Sequence, residues 1–109
     1  MSEKSNVIIN YYSRSDSPYF GKKLDEDHYV NEKLHREDGP ASISWYGNDI
    51  AAFESYYING LLHRLDGPAY TQRNPNGKIV NQQYWVNGEQ IPVNSPQEFK
   101  RFVKLLMFK

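Results

Sequence analysis

The sequence predicts a mainly β domain, an antiparallel meander of hairpins repeating every 28 residues and closed by a C-terminal capping α-helix. Three observations predict it. A thirteen-residue string occurs twice at a spacing of 28, turn dipeptides recur at that spacing, and the apolar period lengthens after Ser95.

Tyr29-Val-Asn-Glu-Lys-Leu-His-Arg-Glu-Asp-Gly-Pro-Ala41 matches the string from Tyr57 to Ala69 at nine of thirteen positions. A further step of 28 lands on Trp85-Val-Asn-Gly, after which the copy decays beyond Gly88. The chain therefore divides into an N-terminal segment 1–28, repeats 29–56 and 57–84, a degenerate third repeat 85–94 and a helix over 95–109, all in one domain.

Within each unit the elements follow in order. Asn59-Gly60 and Asn87-Gly88 close β-rich runs and predict tight hairpin turns. Glu32 stands at the glycine position of the first copy, so a different turn is expected there. Asp38-Gly39-Pro40 and Asp66-Gly67-Pro68 read as structural turns, with Asp bonding the backbone ahead and Gly at positive φ. The chain then extends through Ala41–Trp45, turns at Gly47-Asn48-Asp49 and returns to Ile58. The next unit repeats this, turning at Asn74-Pro75-Asn76-Gly77.

Alternation puts Ala52, Tyr56 and Ile58 on one face with Val80, Tyr84 and Val86, and Tyr57 and Trp85 on the other. At the C-terminus, Ser95-Pro96-Gln97-Glu98 is a capping box with Pro at the first helical position. Phe99, Phe102, Val103 and Leu106 form the stripe of a helix from about Pro96 to Phe108, which covers an open sheet face or end. It can cover only one face, leaving the other to the N-terminal segment, a second copy or a partner.

Composition narrows the function. Thirteen basic and thirteen acidic residues balance, which disfavours a nucleic-acid binder, since phosphate neutralisation needs a basic excess. Cysteine is absent, excluding disulfides, thiolate nucleophiles and Cys-ligated zinc, and pointing to a reducing cytoplasm. The apolar run Val7-Ile8-Ile9 is too short for a signal-peptide core or a membrane span. Nine Tyr and two Trp supplement a modest aliphatic content, implying a thin core or a ring-rich binding surface.

His35 and His63, with Arg36, Arg64, Asp38 and Asp66, are the residues that could serve acid–base or metal chemistry. Their duplication argues otherwise, because a catalytic site is needed once and a turn in every unit. No nucleophile elbow, phosphate loop, dinucleotide glycine pattern or His-Glu-x-x-His occurs. Asp25-Glu26-Asp27 beside His28 reads as a solvated acidic loop. No catalytic residue, metal ligand or cofactor is assigned.

The string Tyr-Ile-Asn-Gly-x-x-His-Arg-x-Asp-Gly-Pro-Ala resembles a repeat found in many bacteriophage and some bacterial proteins, a relative of the membrane occupation and recognition nexus (MORN) repeat. The resemblance spans Tyr29 to about Pro96. It implies hairpin building blocks that present binding surfaces. The nexus repeats are richer in Gly and shorter in period, so their lipid binding is not carried over.

Together these readings point to a non-enzymatic protein-binding module. The resemblance implies a phage-encoded protein that binds and inhibits or redirects a host defence or transcription protein in the host cytoplasm. The expected binding residues are Tyr57 and Trp85, flanked by Trp45, Arg36 and Arg64, with homodimerisation through the same stripe as the competing use. The alternative is a nucleic-acid-binding regulator that combines ring stacking with Lys100, Arg101 and Lys104 on the C-terminal helix. A small hydrolase built on the His-Arg-x-Asp ladder is the third reading.

Overall fold

A computed structural model describes residues 3–108. In chain order the elements are β1 (Ser5–Tyr11), β2 (Lys23–Val30), β3 (Lys33–Leu34), β4 (Ser42–Trp45) and β5 (Ala51–Ser55). They continue with β6 (Tyr57–Ile58), β7 (Leu61–Leu62), β8 (Tyr70–Arg73), β9 (Ile79–Val86), β10 (Glu89–Ile91) and helix α1 (Pro96–Met107). The fold is a mainly β antiparallel meander with one C-terminal helix, as the repeat and the change of period predict.

The main sheet runs β1-β2-β4-β5-β8-β9-β10, with β3 on β2 and the pair β6–β7 standing apart. Three long hairpins, β1–β2, β4–β5 and β8–β9, lie side by side, and each descending strand ends in a tight side hairpin. The period of 28 extends further upstream than the sequence match. β2, the β5–β6 segment and β9 begin at Lys23, Ala51 and Ile79, each 28 residues after the last. The segment 1–28 therefore supplies most of the first hairpin within its described residues, rather than shielding a sheet face. Asp25, Glu26 and Asp27 are half-buried in β2, not a solvated loop, because β1 and β4 pair with that strand on both sides.

The Asn-Gly turns are as read: Asn59 and Gly60 have φ of 51° and 81°, and Asn87 and Gly88 have 50° and 81°. The first copy does not differ. Asn31 and Glu32 adopt φ of 51° and 68°, so a glutamate is held in the left-handed region that its glycine counterparts occupy without strain. The side hairpins stack in sequence, with Gly60 N–H donating to Leu34 O and Gly88 N–H to Leu62 O, at 2.8 and 2.9 Å.

Gly39 and Gly67 depart from the expected positive-φ turn. Neither lies at positive φ. Glycine is needed there because the arginine three residues earlier folds back against its backbone. A Cβ on Gly39 would stand 3.1 Å from Arg36 Cζ, and one on Gly67 2.9 Å from Arg64 Cζ.

The molecule is a slab of 55 × 43 × 17 Å, essentially one sheet thick. Its radius of gyration of 15.9 Å exceeds the roughly 13 Å of a compact chain this long. The main apolar cluster is Tyr84, Val86, Ile91 and Phe99, joined by Val93, Phe102, Val103 and Leu106 from the C-terminal segment and helix. Ser95 caps that helix by accepting from Glu98 N–H at 3.2 Å, and Pro96 opens it. Ala41 and Ala69 are buried where the Gly-Pro-Ala turn re-enters the sheet. There each alanine carbonyl accepts a backbone N–H, from His28 at 2.7 Å and Tyr56 at 2.8 Å.

Candidate binding cleft

The His-Arg-x-Asp-Gly-Pro segments build the same structure twice. Arg36 Nε donates to Asp38 Oδ1 at 3.0 Å and Nη1 to the Pro40 carbonyl at 3.2 Å. Arg64 repeats this with Asp66 at 2.8 Å and the Pro68 carbonyl at 3.1 Å. The backbone N–H of Arg36 donates to Tyr57 O, and that of Arg64 to Trp85 O, both at 3.1 Å, tying each turn to the next unit.

The histidines are tied forward in the same way. His35 Nδ1 accepts from Asn59 N–H at 2.9 Å, and His63 Nδ1 accepts from Asn87 N–H at 3.0 Å. An accepting Nδ1 carries no proton, so a neutral ring places its proton on Nε2. Both imidazoles therefore act as links between successive units.

Beneath each arginine lies the residue at the end of the descending strand's long pairing. Arg64 stacks its guanidinium on Tyr56, 4.0 Å from the ring centroid. Arg36 Nη1 stands 3.1 Å from His28 Nε2, which also meets Glu26 Oε2 at 2.7 Å. Glu26 can only accept, so the Nε2 proton serves Glu26. That hydrogen bond from His28, aided by Lys23, holds the Glu26 carboxyl below its usual range. The Arg36 hydrogen bond, with its charge, does the same for the exposed Asp38.

Between the two turns opens a cleft of about 440 Å³. Arg36, Glu37, Asp38 and Gly39 line one side; His63, Arg64, Leu65 and Asp66 line the other, and Tyr56 and Ile58 complete the wall. Three carboxylates face two guanidinia already paired within their own turns, so the rim has an excess negative charge. Leu65 is 44% exposed at its edge. The cleft thus suits an apolar side chain flanked by basic groups.

The structure divides the five binding residues expected from the sequence. Arg36 and Arg64 line the cleft, whereas Tyr57, Trp85 and Trp45 do not. Tyr57 and Trp85 follow Tyr56 and Tyr84 directly, and alternation turns them to the other face. They are half-buried there, Trp85 donating Nε1–H to Gln83 Oε1 at 3.0 Å, and do not form an open ring stripe. Trp45 lies at the far end of the sheet in a second groove of about 300 Å³ with Lys22, Lys23 and Asp49, the Lys23 ammonium 5.5 Å from its ring. No local motif marks Glu26, His28, Ile58 or Leu65 as cleft or turn residues. For Glu26 and His28 the available signal is position, since they precede Glu54 and Tyr56 by 28.

Among the described residues, no group of three or more His, Asp or Glu is placed to hold a metal ion, and no helix is long and apolar enough to cross a membrane. Comparison with protein-family models, with curated proteins and with solved structures yields no match.

Proposed function

We propose that this chain is a non-enzymatic protein-binding module that engages its partner through the cleft between the two arginine turns. The observation that carries the reading is the use made of the repeated polar residues. Both histidines and both arginines are engaged in joining or shaping units, which leaves a built cleft rather than a set of free reactive groups. A sheet one layer thick supports the same reading, because it offers wide surface for its mass. The repeat's resemblance to those of phage proteins supplies the setting: a phage-encoded binder that inhibits or redirects a host defence or transcription protein. The partner surface that complements this cleft is an apolar side chain among lysines or arginines.

The test is affinity capture from host lysate, with and without nuclease, using the native chain and a Leu65→Asp variant matched for melting temperature. A stoichiometric, nuclease-resistant protein that the variant loses supports the proposal. Recovery of nucleic acid alone, or equal capture by both chains, overturns it in favour of the nucleic-acid reading or another surface.

A further inference from the structure

Strand β1 is the first strand of the sheet order and pairs with β2 on one side. Among the described residues, no strand pairs with its other edge. Natural sheets usually blunt such an edge with charge, proline or a cover. Here Ser5-Asn-Val-Ile-Ile-Asn-Tyr11 contains no charge, no proline and no glycine. Val7 and Ile8 are 50% and 47% exposed although they alternate to opposite faces, a two-sided apolar pattern suited to a strand inside a sheet.

The backbone shows which groups are available. Asn31 N–H donates to Lys4 O at 2.7 Å, which orients the even-numbered residues of β1 towards β2. Accordingly His28, opposite Val7, sends its N–H the other way, to Ala41. The N–H and C=O groups of Ser5, Val7 and Ile9 therefore point out of the open edge.

We propose that this edge pairs with β1 of a second copy, antiparallel about a two-fold axis at Ile8, to make one continuous sheet across a homodimer. The strand is self-complementary in that register. Asn6 faces Asn10 of the second copy, Val7 faces Ile9, and Ile8 faces itself, so amide meets amide and apolar meets apolar with no like charges opposed. Val7 and Ile9 form the hydrogen-bonded pairs on either side of the axis. This dimer uses the sheet edge, not the Tyr57 and Trp85 stripe, and leaves the arginine-turn cleft free.

The experiment is mass measurement by light scattering or sedimentation from about 1 µM to about 1 mM, the range in which small interfaces dissociate. Amide hydrogen exchange is followed over the same series. The expected result is a monomer–dimer equilibrium in which the Val7 and Ile9 amides become protected as the dimer fills, while Asn6 and Ile8 are protected throughout. Ile8→Lys, which sets two ammonium groups face to face, should raise the dissociation constant by at least about tenfold. A 12.8 kDa monomer at every concentration overturns the proposal. So does a dimer whose Val7 and Ile9 amides exchange freely, or one that a folded Ile8→Lys chain retains. Should that variant not fold, exchange in the unaltered chain decides.

Discussion

Arg64 lies over the Tyr56 ring, 4.0 Å from its centroid, and 28 residues on Phe99 takes the corresponding place over Tyr84 with centroids 4.6 Å apart. The first unit fills the same place with Arg36 beside His28. The third copy has Pro92 where arginine would stand, and the helix delivers a phenyl ring instead. The helix thus acts as the terminal cap of the repeat, substituting an apolar contact for a cationic one.

A double-mutant cycle with Arg64→Ala and Tyr56→Leu should give a coupling of about 0.5–2 kcal/mol by chemical denaturation. Arg64→Lys should recover little of it, since a lysine cannot bridge Asp66 and the Pro68 carbonyl while stacking. Equal stability of the Lys variant and the parent would contradict this account.

Phe99→Ala should cost about 3–5 kcal/mol, because it removes a buried phenyl ring packed on Tyr84 and exposes that tyrosine. Circular dichroism and tryptophan fluorescence should report loss of the helix and the Trp85 environment together.

Gly67→Ala should destabilise by about 1–2 kcal/mol by displacing the Arg64 guanidinium, and Gly39→Ala by somewhat less because its contact is looser. The mechanism has its own signature. In an Arg64→Ala background, Gly67→Ala should be nearly neutral, which a backbone-strain mechanism would not allow.

Glu32→Gly should stabilise the chain by about 1 kcal/mol, since glycine relieves a left-handed φ of 68° that its unfolded-state entropy only partly offsets. A rise in melting temperature checks it; a fall would mean that the Glu32 side chain makes a contact outweighing the strain.

The pH dependence follows from Glu26. Its folded carboxyl titrates below the usual glutamate value of 4.5, chiefly through the His28 hydrogen bond. A depressed carboxylate stabilises the fold above the unfolded value, and that contribution is lost as pH falls through the folded one. The stability difference between the parent and Glu26→Gln should therefore be present at pH 7 and shrink as pH falls below the ordinary glutamate value of 4.5. A difference constant across that range would show that the carboxylate charge is not responsible.

Local signals carried far here because each concerns a few adjacent residues. Asn59-Gly60 reports a turn through backbone sterics, and Ser95-Pro96-Gln97-Glu98 reports a helix start through its own hydrogen bonds. No local signal exists where a residue's role is set by what folds against it. Gly39 resembles a positive-φ turn residue until the Arg36 side chain is seen lying on it. Asp25-Glu26-Asp27 looks like a solvated run until strands pair on either side of it. Tyr57 and Arg36 are linked through a backbone bond, yet alternation sends their side chains to different surfaces.

By itself the sequence determined the hairpin repeat, its period of 28, the turn positions and the terminal helix, because turn sterics, capping and strand alternation act over a few bonds. Only the tertiary structure decided that β1 completes a first hairpin, that Arg64 stacks on Tyr56 while Arg36 sits beside His28, and that the histidines join one unit to the next. Those outcomes depend on register between strands far apart in the chain. A shift of one residue would have turned every ring to the opposite face.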